Sequence, residues 1–122
     1  MSKRILVVDD QADLRLLIRL SLRSLGEVVQ ASSAEQALAI VGELLPDLVV
    51  LDVWLGQGQS GIDLCRGLRT ELRTRNLAII LLSANGQQSD IAAGLAAGAD
   101  DYIVKPFSPD ALCAAAARLL AR

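Results

Sequence analysis

Four apolar residues, Leu48 to Leu51, run without a polar break between Asp47 and Asp52, with Pro46 just ahead of them and glycines beyond. A run with no alternation cannot be half exposed, and one this short cannot be a membrane span. It reads as a central parallel strand covered on both faces, ending in an acid. The pattern recurs along the chain. Ile5 to Val8 leads into Asp9-Asp10, Leu77 to Leu82 into Ser83, and Asp101 to Val104 into Lys105-Pro106. A further short strand is expected over Glu27 to Ala31.

Between these runs the apolar spacing turns helical. Gln11 or Asp13 can open a helix reaching about Leu25, with Leu14, Leu17, Ile18, Ser21 and Leu25 on its inner face and Gly26 as the stop. Arg15, Arg19 and Arg23 recur every four residues and form a basic stripe on it. A solvated face is the default meaning of such a stripe, and docking of an acidic or phosphorylated partner is the alternative. Ser32-Ser33-Ala34-Glu35-Gln36 carries a capping-box signature for a second helix that must end before Pro46. Further helices are expected from about Ile62 to Arg73, from about Gln88 to Ala97, and from Ser108-Pro109 through Leu120. Five strand-helix units with short connections imply an α/β fold: one doubly wound, five-stranded parallel sheet with helices on both faces, spanning residues 1–122 as one domain.

Composition limits what that domain does. With 52% of residues hydrophobic but one Trp, one Tyr and one Phe, the core must be aliphatic. A formal charge of −2 provides no basic field, so no direct binding of nucleic acid is expected. No apolar run approaches the ~20 residues that cross a bilayer, and Ile5 to Val8 is too short for a signal peptide. No membrane association and a cytoplasmic location are the expectation. Cys65 and Cys113 are far apart, without CxxC spacing or any His, and read as small helix residues rather than metal ligands.

All carboxyl ends of a parallel sheet lie on one edge, where such folds bind ligands. Asp9, Asp10, Asp52, Ser83 and Lys105 therefore converge. Three carboxylates beside one ammonium repel one another unless a cation joins them. An all-oxygen donor set suits Mg²⁺ better than Zn²⁺. A metal, a carboxylate nucleophile, a hydroxyl donor and an ammonium are the parts needed for phosphoryl transfer onto an aspartate, with Lys105 and the metal neutralising phosphoryl oxygens and Ser83 donating to one.

Val7-Val8-Asp9-Asp10, Asp52, Ser83-Ala84 and the segment Gly98 to Phe107, GADDYIVKPF, resemble the receiver domains of two-component response regulators over essentially the whole chain. The resemblance implies a flavodoxin-like strand order, 2-1-3-4-5, and a phosphorelay domain that takes a phosphoryl group from a histidine kinase or histidine phosphotransfer protein onto Asp52. By the same resemblance, a signalling domain that catalyses only its own phosphorylation and dephosphorylation is expected. The resemblance also implies Mg²⁺ on Asp9, Asp10, Asp52 and the Trp54 carbonyl, phosphoryl contacts from Ser83 and Lys105, a switch made of Ser83 and Tyr102, and a cis Lys105-Pro106 peptide. Receivers commonly carry Met-Pro three and four residues past the acceptor; here Leu55-Gly56 stand there, and Gly61 comes one residue later than the usual loop glycine. The loop is therefore expected to be longer and looser. Such a domain is either a stand-alone regulator or part of a larger protein.

Other readings fit less well. Gly56-x-Gly58-x-x-Gly61 matches the dinucleotide fingerprint by letter, but its first glycine is not directly after the strand and Glu71 is too near to take a ribose. A mobile loop is the simpler expectation. A haloacid dehalogenase-type phosphatase would place a second Asp where Trp54 stands. A pseudo-receiver, binding partners without phosphorylation, is the alternative function, although Asp9, Asp10, Asp52 and Lys105 are all present. Finally, Asp90 is the only charge between Gln87 and Ala99, and Ala111 to Ala117 carries none. The last two helices and last strand are thus expected to offer an apolar face for a homodimer or other partner.

Overall fold

In the computed structural model, which describes residues 3–122, the strands are β1 (Arg4–Val8), β2 (Glu27–Ala31), β3 (Leu48–Asp52), β4 (Ala78–Ser83) and β5 (Asp101–Val104). They alternate with α1 (Ala12–Leu22), α2 (Ala34–Glu43), α3 (Gly61–Thr70), α4 (Gln88–Ala96) and α5 (Pro109–Leu120). All pairings are parallel and the order is β2-β1-β3-β4-β5. Every residue of β3 and β4 is buried, which explains their unbroken apolar runs: both faces of the sheet are covered.

Alternate residues serve opposite cores. Ile5, Val7, Leu48, Val50, Ile80 and Leu82 meet Ile18 and Leu22 of α1 and Leu112, Ala116 and Leu119 of α5. Leu6, Val8, Val49, Leu51, Ile79 and Leu81 meet Ala37 and Val41 of α2 and Leu64, Cys65 and Leu68 of α3. The register fixes the upper edge, pairing Val8 with Leu51, Asp52 with Leu82 and Ser83 with Val104.

The inner face of α1 differs from the one expected. Its buried residues are Ile18 and Leu22, with Leu14 and Leu25 partly buried against the same core, while Leu17 is 42% exposed. Positions 14, 18 and 22 fall within about a quarter-turn on the helix, and position 17 lies roughly a right angle away from their centre. The helix also ends earlier, at Leu22, so Gly26 does not stop it. Gly26 answers to crowding instead, because a Cβ there would stand 2.4 Å from the Lys3 carbonyl oxygen. At α2 the capping signature holds in shifted form: Ser33 Oγ accepts from Gln36 N, and Gln36 Oε1 accepts from Ser32 N rather than from the cap residue.

Away from the strand ends that carry the acids, Arg69 ties α3 to the segments flanking β4 and β5. Its guanidinium donates to the carbonyls of Arg75, Leu77 and Gly98 and to Asp100 Oδ2. That same carboxylate oxygen accepts from Ile79 N at 2.8 Å, so one ion pair closes two connections at once. Cys65 and Cys113 are unpaired; burial pushes the Cys65 thiol up, and its Sγ–H points at the Ala97 carbonyl.

Candidate functional site

Three strands bring their terminal residues into one cleft. Asp9 follows β1, Asp52 ends β3 and Ser83 ends β4, and all three are buried, whereas Asp10 is exposed. Carboxylate oxygens of Asp9, Asp10 and Asp52 lie within 4.8 Å of one another. Lys105, one residue past β5, donates from Nζ to Asp52 Oδ2 at 2.7 Å and stands 3.5 Å from Asp9 Oδ2. The other oxygen of each buried acid takes a backbone donor two residues on: Gln11 N to Asp9 Oδ1 at 2.8 Å, Trp54 N to Asp52 Oδ1 at 3.1 Å.

Among the described residues, Asp9 Oδ2 is buried without a hydrogen-bond partner. Burial, followed by the neighbouring Asp52, pushes the Asp9 carboxyl up to about 6, against the opposing pull of the Gln11 amide and Lys105. A buried oxygen without a donor, in a cluster of three carboxylates, is what a hard cation would satisfy. The residues present therefore fit a Mg²⁺-type metal, with Asp9, Asp10 and Asp52 as the available donors.

The mouth of the cleft, about 510 Å³, is bordered by Trp54, Ser83, Asn85, Tyr102 and Lys105. Trp54 is 70% exposed there. Ser83 Oγ accepts from Asn85 N at 3.0 Å, and Tyr102 Oη donates to Asn85 O at 2.8 Å, so Asn85 links the end of β4 to the aromatic ring on β5. The Lys105-Pro106 peptide is cis. A larger groove of about 680 Å³ runs between α2 and α3, but it contains none of the clustered acids.

The loop after β3 is tied down, contrary to the loose loop expected. Trp54 and Ser60 form an antiparallel bridge, Leu55 N donates to Gln59 O, and Gln59 N to Gly56 O. Gly56, Gln57 and Gly58 have positive φ, so this tight reversal has glycine at two of its three left-handed positions. Gln59 Oε1 also accepts from Ala34 N, the first residue of α2. The extra residue is accommodated within this hydrogen-bonded turn.

Sequence reasoning missed two residues that hold the cleft. Arg15 is not a free member of a basic stripe: Nη1 donates to the Asp9 carbonyl at 2.7 Å and Nε to Gln30 Oε1 at 3.3 Å, leaving Arg19 and Arg23 exposed beside it. Gly61, whose N donates to Val53 O at 2.7 Å, lets α3 begin directly against the end of β3.

Residues 5–117 match the family described as the response regulator receiver domain. This chain belongs to that family. It is 43% identical over 121 residues to the phosphate regulon transcriptional regulatory protein PhoB of Pseudomonas aeruginosa, covering 98% of this chain and 52% of that protein. It is 45% identical to the DNA-binding response regulator MtrA of Mycobacterium leprae, covering 93% of this chain and 49% of that one. The receiver thus spans about half the length of these curated relatives. Among solved structures, a putative response regulator from Chloroflexus aurantiacus superposes with a TM-score of 0.93 at 39% identity, each chain covered completely. The beryllofluoride-activated DrrB receiver domain does so with a TM-score of 0.88 at 36% identity, also with complete coverage. The chain is a two-component signalling domain, and among its described residues no helix is long and apolar enough to cross a membrane.

Proposed function

We propose that this receiver accepts a phosphoryl group on Asp52 from a histidine kinase or histidine phosphotransfer protein in the cytoplasm, with Mg²⁺ as cofactor. The observation that carries the reading is the Lys105–Asp52 pair at 2.7 Å beside the unpartnered Asp9 oxygen. Asp52 Oδ2 is the nucleophile in this reading, and the ammonium on it is positioned to follow the negative charge onto an incoming phosphoryl oxygen. Asp9, Asp10 and Asp52, together with the Trp54 carbonyl, would hold the metal, whose contribution is to neutralise phosphoryl oxygens. Ser83 Oγ would donate to a third oxygen. Since Asn85 bonds both Ser83 and Tyr102, a shift of Ser83 toward the phosphoryl group would be felt at the ring, making Ser83 and Tyr102 the switch.

Intact-mass measurement with acetyl phosphate and Mg²⁺ tests the acceptor. One added phosphoryl group is expected on the wild type and none on Asp52→Asn. Equal labelling of the two proteins would show that another residue takes the phosphoryl group.

The output of this reading is a surface on α4, β5 and α5, used by a homodimer or another partner. Ala92, Ala93, Leu95 and Ala96 of α4 are exposed, and Val104 of β5, the edge strand that α4 packs against, is 37% exposed. The alanines of α5 contribute less than their composition suggests, because Ala115 and Ala116 are buried in the α1-side core. Ala115 is therefore a core position and not a site for a surface charge. Beryllofluoride with Mg²⁺ is expected to raise the mass measured by light scattering toward a dimer, and Ala93→Glu to prevent the rise. An unchanged mass in wild type, with no partner's affinity altered, would remove this face from consideration and direct attention to the exposed Leu16, Leu17 and Leu20 on α1.

A further inference from the structure

Gly94 sits in the middle of α4, where a glycine costs helix stability relative to alanine, and it is the buried residue of that helix. Nothing about the backbone requires it, because its φ is not in the left-handed region. The reason lies across the interface. A Cβ at position 94 would stand 2.6 Å from Tyr102 Cδ2 and 2.9 Å from Cε2, with Leu81 Cδ1 at 3.1 Å. The first two distances are far inside van der Waals contact, so a methyl group and the ring cannot both occupy these positions. The Leu81 methyl is the end of a rotatable side chain and needs to give only a few tenths of an ångström.

We propose that Gly94 is a positioning residue for Tyr102: its missing side chain is the space in which the ring lies, and through the ring it joins α4 to the Ser83 end of β4. The chain of contacts is continuous. The ring packs on Gly94, its hydroxyl donates to Asn85 O, and Asn85 N donates to Ser83 Oγ. A side chain at 94 pushes the ring out of this position and loosens the Asn85 bond, shifting the equilibrium between ring positions rather than merely filling a void. The signalling consequence rests on the reading of Ser83 and Tyr102 as the switch, but the packing claim does not.

The two separate experimentally. Alone, Gly94→Ala is expected to lower the melting temperature, since the clash outweighs the gain in helix propensity. In a Tyr102→Ala background the same substitution is expected to raise it, because the ring is gone and the propensity gain remains. Tyr102 is the only tyrosine, so 3-fluorotyrosine labelling gives one ¹⁹F resonance. In Gly94→Ala that resonance is expected to be displaced before any addition and to respond less to beryllofluoride with Mg²⁺ than in wild type. A melting-temperature change of the same sign in both backgrounds, or an unmoved starting resonance, overturns the proposal. If Asp52 fails to be phosphorylated while the sign still inverts, the switch reading falls and the positioning role of Gly94 stands.

Discussion

Between pH 4 and pH 8, in metal-free buffer, Asp9→Asn is expected to gain about 3 kcal/mol of stability relative to wild type. The cause is the Asp9 carboxyl, buried beside Asp52 and pushed up to about 6 in the folded protein. An unfolded aspartate releases its proton near pH 4, so between pH 4 and 6 the folded state holds a proton that the unfolded state has lost. The protonated carboxyl favours folding in that window, and its contribution is lost as pH rises through about 6. A separation of about two pH units corresponds to roughly 3 kcal/mol. Asparagine has no such titration. Taking the difference between the two proteins removes the contributions of ionisable groups outside this cluster, which the two proteins share.

Mg²⁺ should reverse the comparison. Binding to the ionised cluster stabilises the folded form in proportion to ligand over dissociation constant, and it competes with the proton on Asp9. The metal-induced rise in melting temperature is therefore expected to be larger at pH 8 than at pH 5 in wild type. In Asp9→Asn or Asp10→Asn it should be much reduced. Urea titrations at half-unit pH intervals, with EDTA or with Mg²⁺, measure both effects. A difference curve that is flat from pH 4 to 8 would mean that Asp9 carries no strained charge and the cation site has been misread.

How much of this was legible in the chain itself depends on the reach of each interaction. The β3 and β4 runs were readable because total burial removes alternation locally, and the acids at their ends then fall on one edge by topology alone. Asp9, Asp10, Asp52, Ser83 and Lys105 thus came from pattern. Leu17 was assigned to the wrong face because three- and four-residue spacings from Leu14 define two adjacent stripes, and only the packing of Ile18 and Leu22 selects one. The acceptors of Arg69 lie on residues 75, 77, 98 and 100, and no local signal links them. The loop from Gly56 to Ser60 looked loose because glycine permits many conformations. Its order comes from backbone bonds that composition does not encode. Ala115 was similarly ambiguous, since alanine suits a tight core and a bare surface equally well.

Glycine shows the limit most plainly, and it supplies the second large effect: Gly61→Ala is expected to destabilise the domain by roughly 3 kcal/mol or more. A Cβ at position 61 would stand 2.0 Å from the Asp52 carbonyl oxygen, 2.8 Å from its carbon and 3.0 Å from Val53 Cα. These are backbone atoms at the end of β3, and no rotamer change relieves them. The two segments are also bound together, because Gly61 N donates to Val53 O at 2.7 Å, so they cannot part without losing that bond. Gly67, in the interior of the same helix, is the control. Nothing lies within 4 Å of a Cβ there, so Gly67→Ala should gain up to ~1 kcal/mol from helix propensity alone. One substitution on one helix should therefore give opposite signs. The strain at 61 also falls on the Asp52 backbone, so acetyl phosphate labelling of Asp52 in Gly61→Ala should slow under conditions where the protein remains folded by circular dichroism. If Gly61→Ala costs less than about 1 kcal/mol in urea and labels at the wild-type rate, α3 can retreat from β3 freely, and the close start of that helix does not position Asp52.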